Sequence, residues 1–157
     1  MTDIAHAAGV GRVTLYGHFA SRDDLFHAAV GHVVGQVQAA FDALDLDQMT
    51  SDEALTAMLR ASWHMIERHR AFFATATHRH EPALTHHHDL IFQRLGSVIE
   101  RGRRDGVFRS DQPVTWLVAV CVGLVHAAVM QVESRQMPPG DAVEALITTV
   151  RAACRPA

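Results

Sequence analysis

Polar side chains of the kinds that contact nucleic acids lie together in one short stretch near the N-terminus. Arginine, threonine, tyrosine and histidine alternate with other residues there, at Arg12, Thr14, Tyr16 and His18. Guanidinium, hydroxyl and imidazole groups hydrogen-bond to phosphate oxygens and to base edges in the major groove of DNA. The plainer interpretation is that Tyr16 is a packing residue and His18 a solvated one.

The residues around this stretch predict two short helices joined by a tight turn. The first helix has an apolar edge formed by Ile4, Ala5 and Ala8. Gly9 can adopt the left-handed conformation that commonly ends a helix, and Val10 is expected to pack in the turn. The second helix is centred on Leu15, which we expect to be surrounded by Val13 or Thr14, Tyr16 and Phe19. Helix, glycine turn and helix form the helix-turn-helix pattern.

Several short motifs follow one another in a specific order along this segment. They are Ile4 and Ala5; Ala8, Gly9 and Val10; Thr14, Leu15 and Tyr16; His18 and Phe19; and Ser21 followed by Asp23, Asp24 and Leu25. In this order and spacing the segment resembles the TetR-type transcriptional regulators. The resemblance implies a DNA-binding head at the N-terminus and an all-helical, ligand-binding and dimerising body behind it.

The resemblance also implies roles for individual residues of the head. Tyr16 and His18 are expected to contact phosphates, and Arg12 and Thr14 are expected to reach base edges. Arg22 stands where the family usually has lysine, keeps the charge and can still meet a phosphate. The expected DNA-binding set is Thr2, Arg12, Thr14, Tyr16, His18 and Arg22. A two-fold dimer would present two such heads to a near-palindromic, double-stranded DNA operator.

The head departs from the family pattern in ways that keep a second interpretation open. The family has a complete first helix ahead of the position of Met1, so the head is expected to be truncated, with inner faces partly uncovered at Ile4, Ala8, Leu15, Phe19 and Leu25. Gly11 replaces the usual serine or threonine cap, and Gly17 inside the recognition helix costs about 1 kcal/mol relative to alanine. The head carries two arginines against three aspartates. The alternative is a dimeric small-molecule-binding protein with a non-functional DNA head.

Behind the head, apolar residues recur at helical spacing and predict an all-α chain in two parts. Residues 1–25 form the head and run into a connector helix, capped by Ser21 and Asp24, that extends to about residue 44. Residues 45–157 form the effector-binding and dimerisation domain. It opens on a capping box of Thr50 and Glu53, and includes a helix capped by Asp111 and a last helix starting at Asp141. A short helix at Phe72 is predicted between the helix that begins at Thr50 and the helix capped by Asp111.

The resemblance implies that the body holds a pocket for a small apolar or amphipathic effector, and that the last two helices form the homodimer. The expected ligand-binding residues are Trp63, Phe72, Phe92, Trp116 and His126. Such pockets are mostly apolar with a few polar anchors. Core packing explains each of these residues equally well, and His126 is the strongest single candidate because a polar group in an apolar run needs a partner.

Composition limits the remaining possibilities. The chain has 157 residues, 48% of them hydrophobic, and a net charge of −3 with histidine neutral, so DNA affinity would have to be local. Cys121 and Cys154 have no metal-like spacing and are expected to be buried, reduced thiols in a cytoplasmic protein. The apolar run from Val114 to Met130 is at the lower end of the roughly 17 to 25 residues that span a membrane, and we expect a buried helix instead.

Metal and enzyme chemistry are not expected. Twelve histidines are present, but no two lie three or four residues apart, so no helix offers the one-face pair of a helical zinc site. A long-range metal site involving His78, His80 and the run at His86 to His88 is the minor alternative. The sequence has no nucleophile elbow, phosphate loop or dinucleotide fingerprint, so we expect neither an enzyme nor a cofactor.

Overall fold

The computed structural model describes residues 1–70 and 82–156, with side chains of the second range described from residue 89. All regular structure in these residues is α-helical, which confirms the predicted fold class. The helices are α1 (Thr2–Ala7), α2 (Arg12–His18), α3 (Arg22–Asp42), α4 (Ser51–Arg68), α5 (Pro82–Arg104), α6 (Val114–Glu133) and α7 (Pro139–Cys154). The predicted short helix at Phe72 lies outside the described residues.

Local sequence signals explain how the head is built. Gly9 adopts a φ of 67°, the left-handed conformation that ends α1. The Ser21 hydroxyl accepts a hydrogen bond from the backbone N–H of Asp24 at 3.0 Å and donates to its carboxylate at 2.8 Å, so α3 begins where predicted. The core of the head is thin, because Ala5 and Leu15 are buried while Ile4 is only half-buried.

α3 leads from the head into the body. Val30, Val33, Val37 and Phe41 are buried along one stripe, as the three-and-four spacing predicts. α3 packs against α4 and α5, whereas α1 packs chiefly on α2. α3 is therefore the helix that connects the head to the body along the chain.

The body has one hydrophobic core, to which α3 to α7 all contribute. Its largest fully buried side chains are Phe41, Leu55, Met58 and Ile99. Cys121 and Cys154 are buried free thiols, as predicted, and they belong to the same core. Two ion pairs join α4 to α7 at its surface, Arg60 with Glu144 and Arg151 with Asp52.

Three boundaries of the body were tested by the structure. The capping box of Thr50 and Glu53 is present, with both reciprocal hydrogen bonds. The predicted Asp111 cap is wrong, because Pro113 precedes α6 without a side-chain cap and the Asp111 carboxylate instead binds Arg109. The last helix begins at Pro139, before Asp141, because proline suits the first helical position and its missing N–H would be unpaired there anyway.

Candidate nucleic-acid interface

The second helix, α2, which the resemblance predicts to be the recognition helix, turns one narrow face inward and leaves the rest exposed. Leu15 is its buried residue. At 100° per residue, Val13 and Gly17 lie on the opposite side of the helix. Val13, one of the two alternative residues expected beside Leu15, is 88% exposed, so that alternative is wrong. Its helical position, directly opposite Leu15, is the physical reason.

Val13 and Gly17 form the outer ridge of α2, and a polar flank lies on each side of it. On one flank the Arg12 guanidinium lies over the Tyr16 ring, 5.5 Å from its centroid, in a cation–π contact. On the other flank lie Thr14 and His18, both exposed. All four side chains predicted to contact DNA are therefore accessible on one short helix, and Tyr16, at 43% exposure, is not a core residue.

The two remaining DNA candidates lie at helix starts beside α2. Thr2 is the first residue of α1 and Arg22 the first residue of α3, and both are exposed. The Asp24 carboxylate near Arg22 is engaged by the Ser21 hydroxyl. The structure thus leaves every predicted DNA contact free of the protein core, although their roles on DNA stay predictions.

The predicted effector residues are only partly brought together. Trp63 is buried at the wall of a small cavity between α4 and α6, whose open volume is about 10 Å³. The other lining residues are Ile66, Glu67, Arg70, Val129, Val132 and Glu133. Sequence reasoning missed the two glutamates, because nothing in their spacing distinguishes them from solvated surface charges. A wider groove of about 820 Å³ lies between residues 41–47 and α5.

Of the other four candidates the structure describes three, and these three lie elsewhere. Phe92 packs half-buried against the core, and Phe72 lies outside the described residues. Trp116 is 58% exposed and His126 is also exposed, so neither is enclosed by the described residues. His126 lies on the outward face of α6, where water can solvate it. The expectation that His126 is buried and therefore needs a hydrogen-bond partner is wrong for the single chain.

A polar contact links the cavity end of α4 to α3. The Nε2 atom of His69 lies 2.6 Å from Gln36 Oε1, and Gln36 Nε2 lies 3.0 Å from His32 Nε2. His69 directly precedes Arg70 at the cavity. The end of α4 is therefore hydrogen-bonded to the helix that carries the head.

Within the described residues, no three histidine, cysteine or acidic side chains are grouped closely enough to hold a metal ion. The histidines that prompted the metal hypothesis, His78, His80 and His86 to His88, fall outside the described side chains. That hypothesis therefore stays untested by the structure.

Comparison with known proteins finds similarity to TetR-type regulators in the head and along most of the chain. Residues 1–29 match the family of bacterial regulatory proteins named tetR. The HTH-type transcriptional repressor LfrR of Mycolicibacterium smegmatis is 26% identical over 148 residues, covering 94% of this chain and 76% of that protein.

Solved structures give the same result for the fold. The crystal structure of the TetR-like regulator LfrR from Mycobacterium smegmatis in complex with proflavine has a TM-score of 0.72 at 25% identity, covering 94% of this chain and 81% of that one. The ketosteroid transcriptional regulator KstR2 of Mycobacterium tuberculosis shares the fold, with a TM-score of 0.72 at 22% identity over 98% of this chain and 83% of that one. These agreements support a TetR-family transcriptional regulator: residues 1–29 match the tetR family, and the all-helical fold is shared with LfrR.

Proposed function

We propose that the protein is a homodimeric repressor that binds a near-palindromic operator and is released from it by a small molecule. The observation that carries the DNA-binding part is the exposed face of α2, where Arg12 stacked on Tyr16 and the pair Thr14 and His18 flank one ridge. The N-terminal part of a recognition helix reaches base edges, and its flanks meet phosphates. The family does not consist of enzymes, and we propose no catalytic activity here.

A gel-shift assay at low salt, against DNA from upstream of the protein's own gene, tests this. We expect a shift whose affinity falls about tenfold in Arg12→Ala, since one good base contact contributes about 1 to 3 kcal/mol. Arg104→Ala removes an exposed arginine on α5 and serves as the control. No shift at any salt concentration would contradict DNA binding by this chain.

The homodimer is supported by the outer face of α6. This helix is long and apolar enough to cross a membrane by those two measures, yet only 17% of its most apolar window is buried in the single chain. Trp116 and Met130 are exposed at its ends, and small residues lie between them at Ala119, Gly123 and Ala127. Along the sequence, Gly123 is equally far from Trp116 and from Met130. A two-fold axis at Gly123 would pair Trp116 of one chain with Met130 of the other and cover the apolar face. Because the apolar face of α6 would then be covered by protein, we propose a cytoplasmic dimer and not a membrane protein.

The effector we propose is an amphipathic molecule with an apolar body and a positive charge. The cavity at Trp63 has apolar walls, and its lining includes Glu67 and Glu133 against one cation, Arg70. LfrR, a relative that matches 94% of this chain, has been crystallised with proflavine, a planar aromatic cation. The cavity is too small for such a molecule, so binding would move α4 and, through His69 and Gln36, pull on α3.

Proflavine fluorescence titration provides the test. We expect saturable binding that is about tenfold weaker in Glu133→Gln, while Asp105→Asn, which removes an exposed charge at the end of α5, leaves it unchanged. Equal affinities of the two variants would argue against a cation-selective cavity.

One alternative has specific support: the chain could dimerise and bind a ligand without binding DNA. The helix α2 has no side-chain N-cap at Gly11, and three aspartates outnumber two arginines from residue 1 to 25. A protein that binds proflavine and is dimeric, but gives no gel shift, would favour this alternative.

A further inference from the structure

The outer ridge of α2 is apolar, although it is the part of the head that would lie deepest in a groove. Val13 has the largest exposed fraction, 88%, among the large apolar side chains of the described residues. A single exposed valine needs no explanation on an ordinary surface. Here it is the second residue of the recognition helix, directly opposite the buried Leu15.

The space next to Val13 is open. Gly17 lies one turn further along the same ridge, and a Cβ atom added there would have no heavy atom within 4 Å. No side chain at position 17 therefore shields the methyl groups of Val13 from an approaching base edge. Arg12 is drawn to one side by its stacking on Tyr16, which leaves the ridge clear.

The major groove offers one apolar group to such a ridge, the C5 methyl of thymine. Polar base edges would lose their water against a valine without gaining a hydrogen bond. We propose that Val13 is a specificity-determining residue that recognises a thymine methyl in each half of the operator. This inference rests on the proposed DNA-binding function.

The test begins with duplexes enriched by the wild-type chain from a random-sequence library at low salt. Each thymine of the selected half-site is then replaced by deoxyuridine, which removes only the methyl group. At one position we expect affinity to fall about fourfold per half-site, or about fifteenfold for both, from the burial of one methyl. In Val13→Ala that thymine preference should fall to within twofold, with the salt dependence unchanged because no phosphate contact is lost.

Val107→Ala is the matched control, since it shortens another exposed valine in a loop of the body and should keep the full thymine preference. Selected duplexes that bind equally well with uracil at every position would overturn the role of Val13 while leaving the regulator intact. An equal loss of affinity for both bases in Val13→Ala would do the same. Failure of the library to yield any enriched duplex would overturn the proposed DNA binding, and this inference with it.

Discussion

Gly102 in α5 faces the buried ring of Phe108, and a Cβ atom at position 102 would overlap that ring. The Gly102 carbonyl also accepts the backbone N–H groups of Val107 and Phe108, which closes the turn after α5. Because Phe108 cannot swing into solvent, Gly102→Ala should lower the free energy of unfolding by about 1 to 3 kcal/mol, measured by urea denaturation. The control is Gly96→Ala on the same helix, where the new Cβ would lie 3.7 Å from Val114. We expect Gly96→Ala to be neutral or stabilising, since alanine favours the helix.

The Asp111 carboxyl makes the free energy of unfolding depend on pH. Its hydrogen bonds with the Arg109 guanidinium lower the pKa of the Asp111 carboxyl from 3.8 to about 2. Because the folded pKa lies below the unfolded one, the stabilisation is complete at pH 7 and is lost as the pH falls from about 4 towards 2. In urea denaturation, the gap between wild type and Asp111→Asn should therefore close across that window. A gap that stays constant from pH 7 down to about pH 2 would contradict this role of the Arg109 contact.

At the scale of elements, one arginine holds the loop between α3 and α4. Arg101 on α5 donates to the carbonyl oxygens of Leu46 at 2.8 Å and Met49 at 3.0 Å, and to the Ser51 hydroxyl at 3.2 Å. Arg101→Met keeps much of the apolar stem but removes these charged donors. We expect a loss of about 2 kcal/mol in the free energy of unfolding and faster amide exchange in residues 46–51. Arg104→Met, on the exposed side of α5, is the control; an equal loss in both would mean that only helix packing was affected.

At the scale of the whole molecule, the described residues of one chain leave much of the apolar surface of α6 exposed. If a second copy covers it, light scattering at micromolar concentration should give about twice 17.3 kDa. Met130→Glu would bury a charge in the proposed interface and should give the monomer mass, since an unpaired buried charge costs several kcal/mol. Leu90→Glu changes another half-exposed apolar residue, on α5, and should remain dimeric. A wild-type mass near that of one chain would contradict the dimer.

Much of the architecture could be predicted from local signals. The glycine turn after α1, the Ser21 cap and the Thr50 capping box each depend on residues within one helical turn, and each is present in the structure. Apolar spacing also predicted the buried stripe of α3, because periodicity reports which face of a helix is covered. The Asp111 cap was predicted wrongly, because a local pattern contains no information about Arg109 as a competing partner.

Local signals in the sequence are enough to predict the all-helical class and the helix-turn-helix order, since both follow from propensity, capping and periodicity along the chain. The tertiary structure decided which side chains are free to act. It turned Val13 outward, buried Trp63 beside two glutamates and left Trp116 and His126 on an open face of α6. Exposure depends on which helices pack against one another, and that arises from contacts between residues far apart in the sequence.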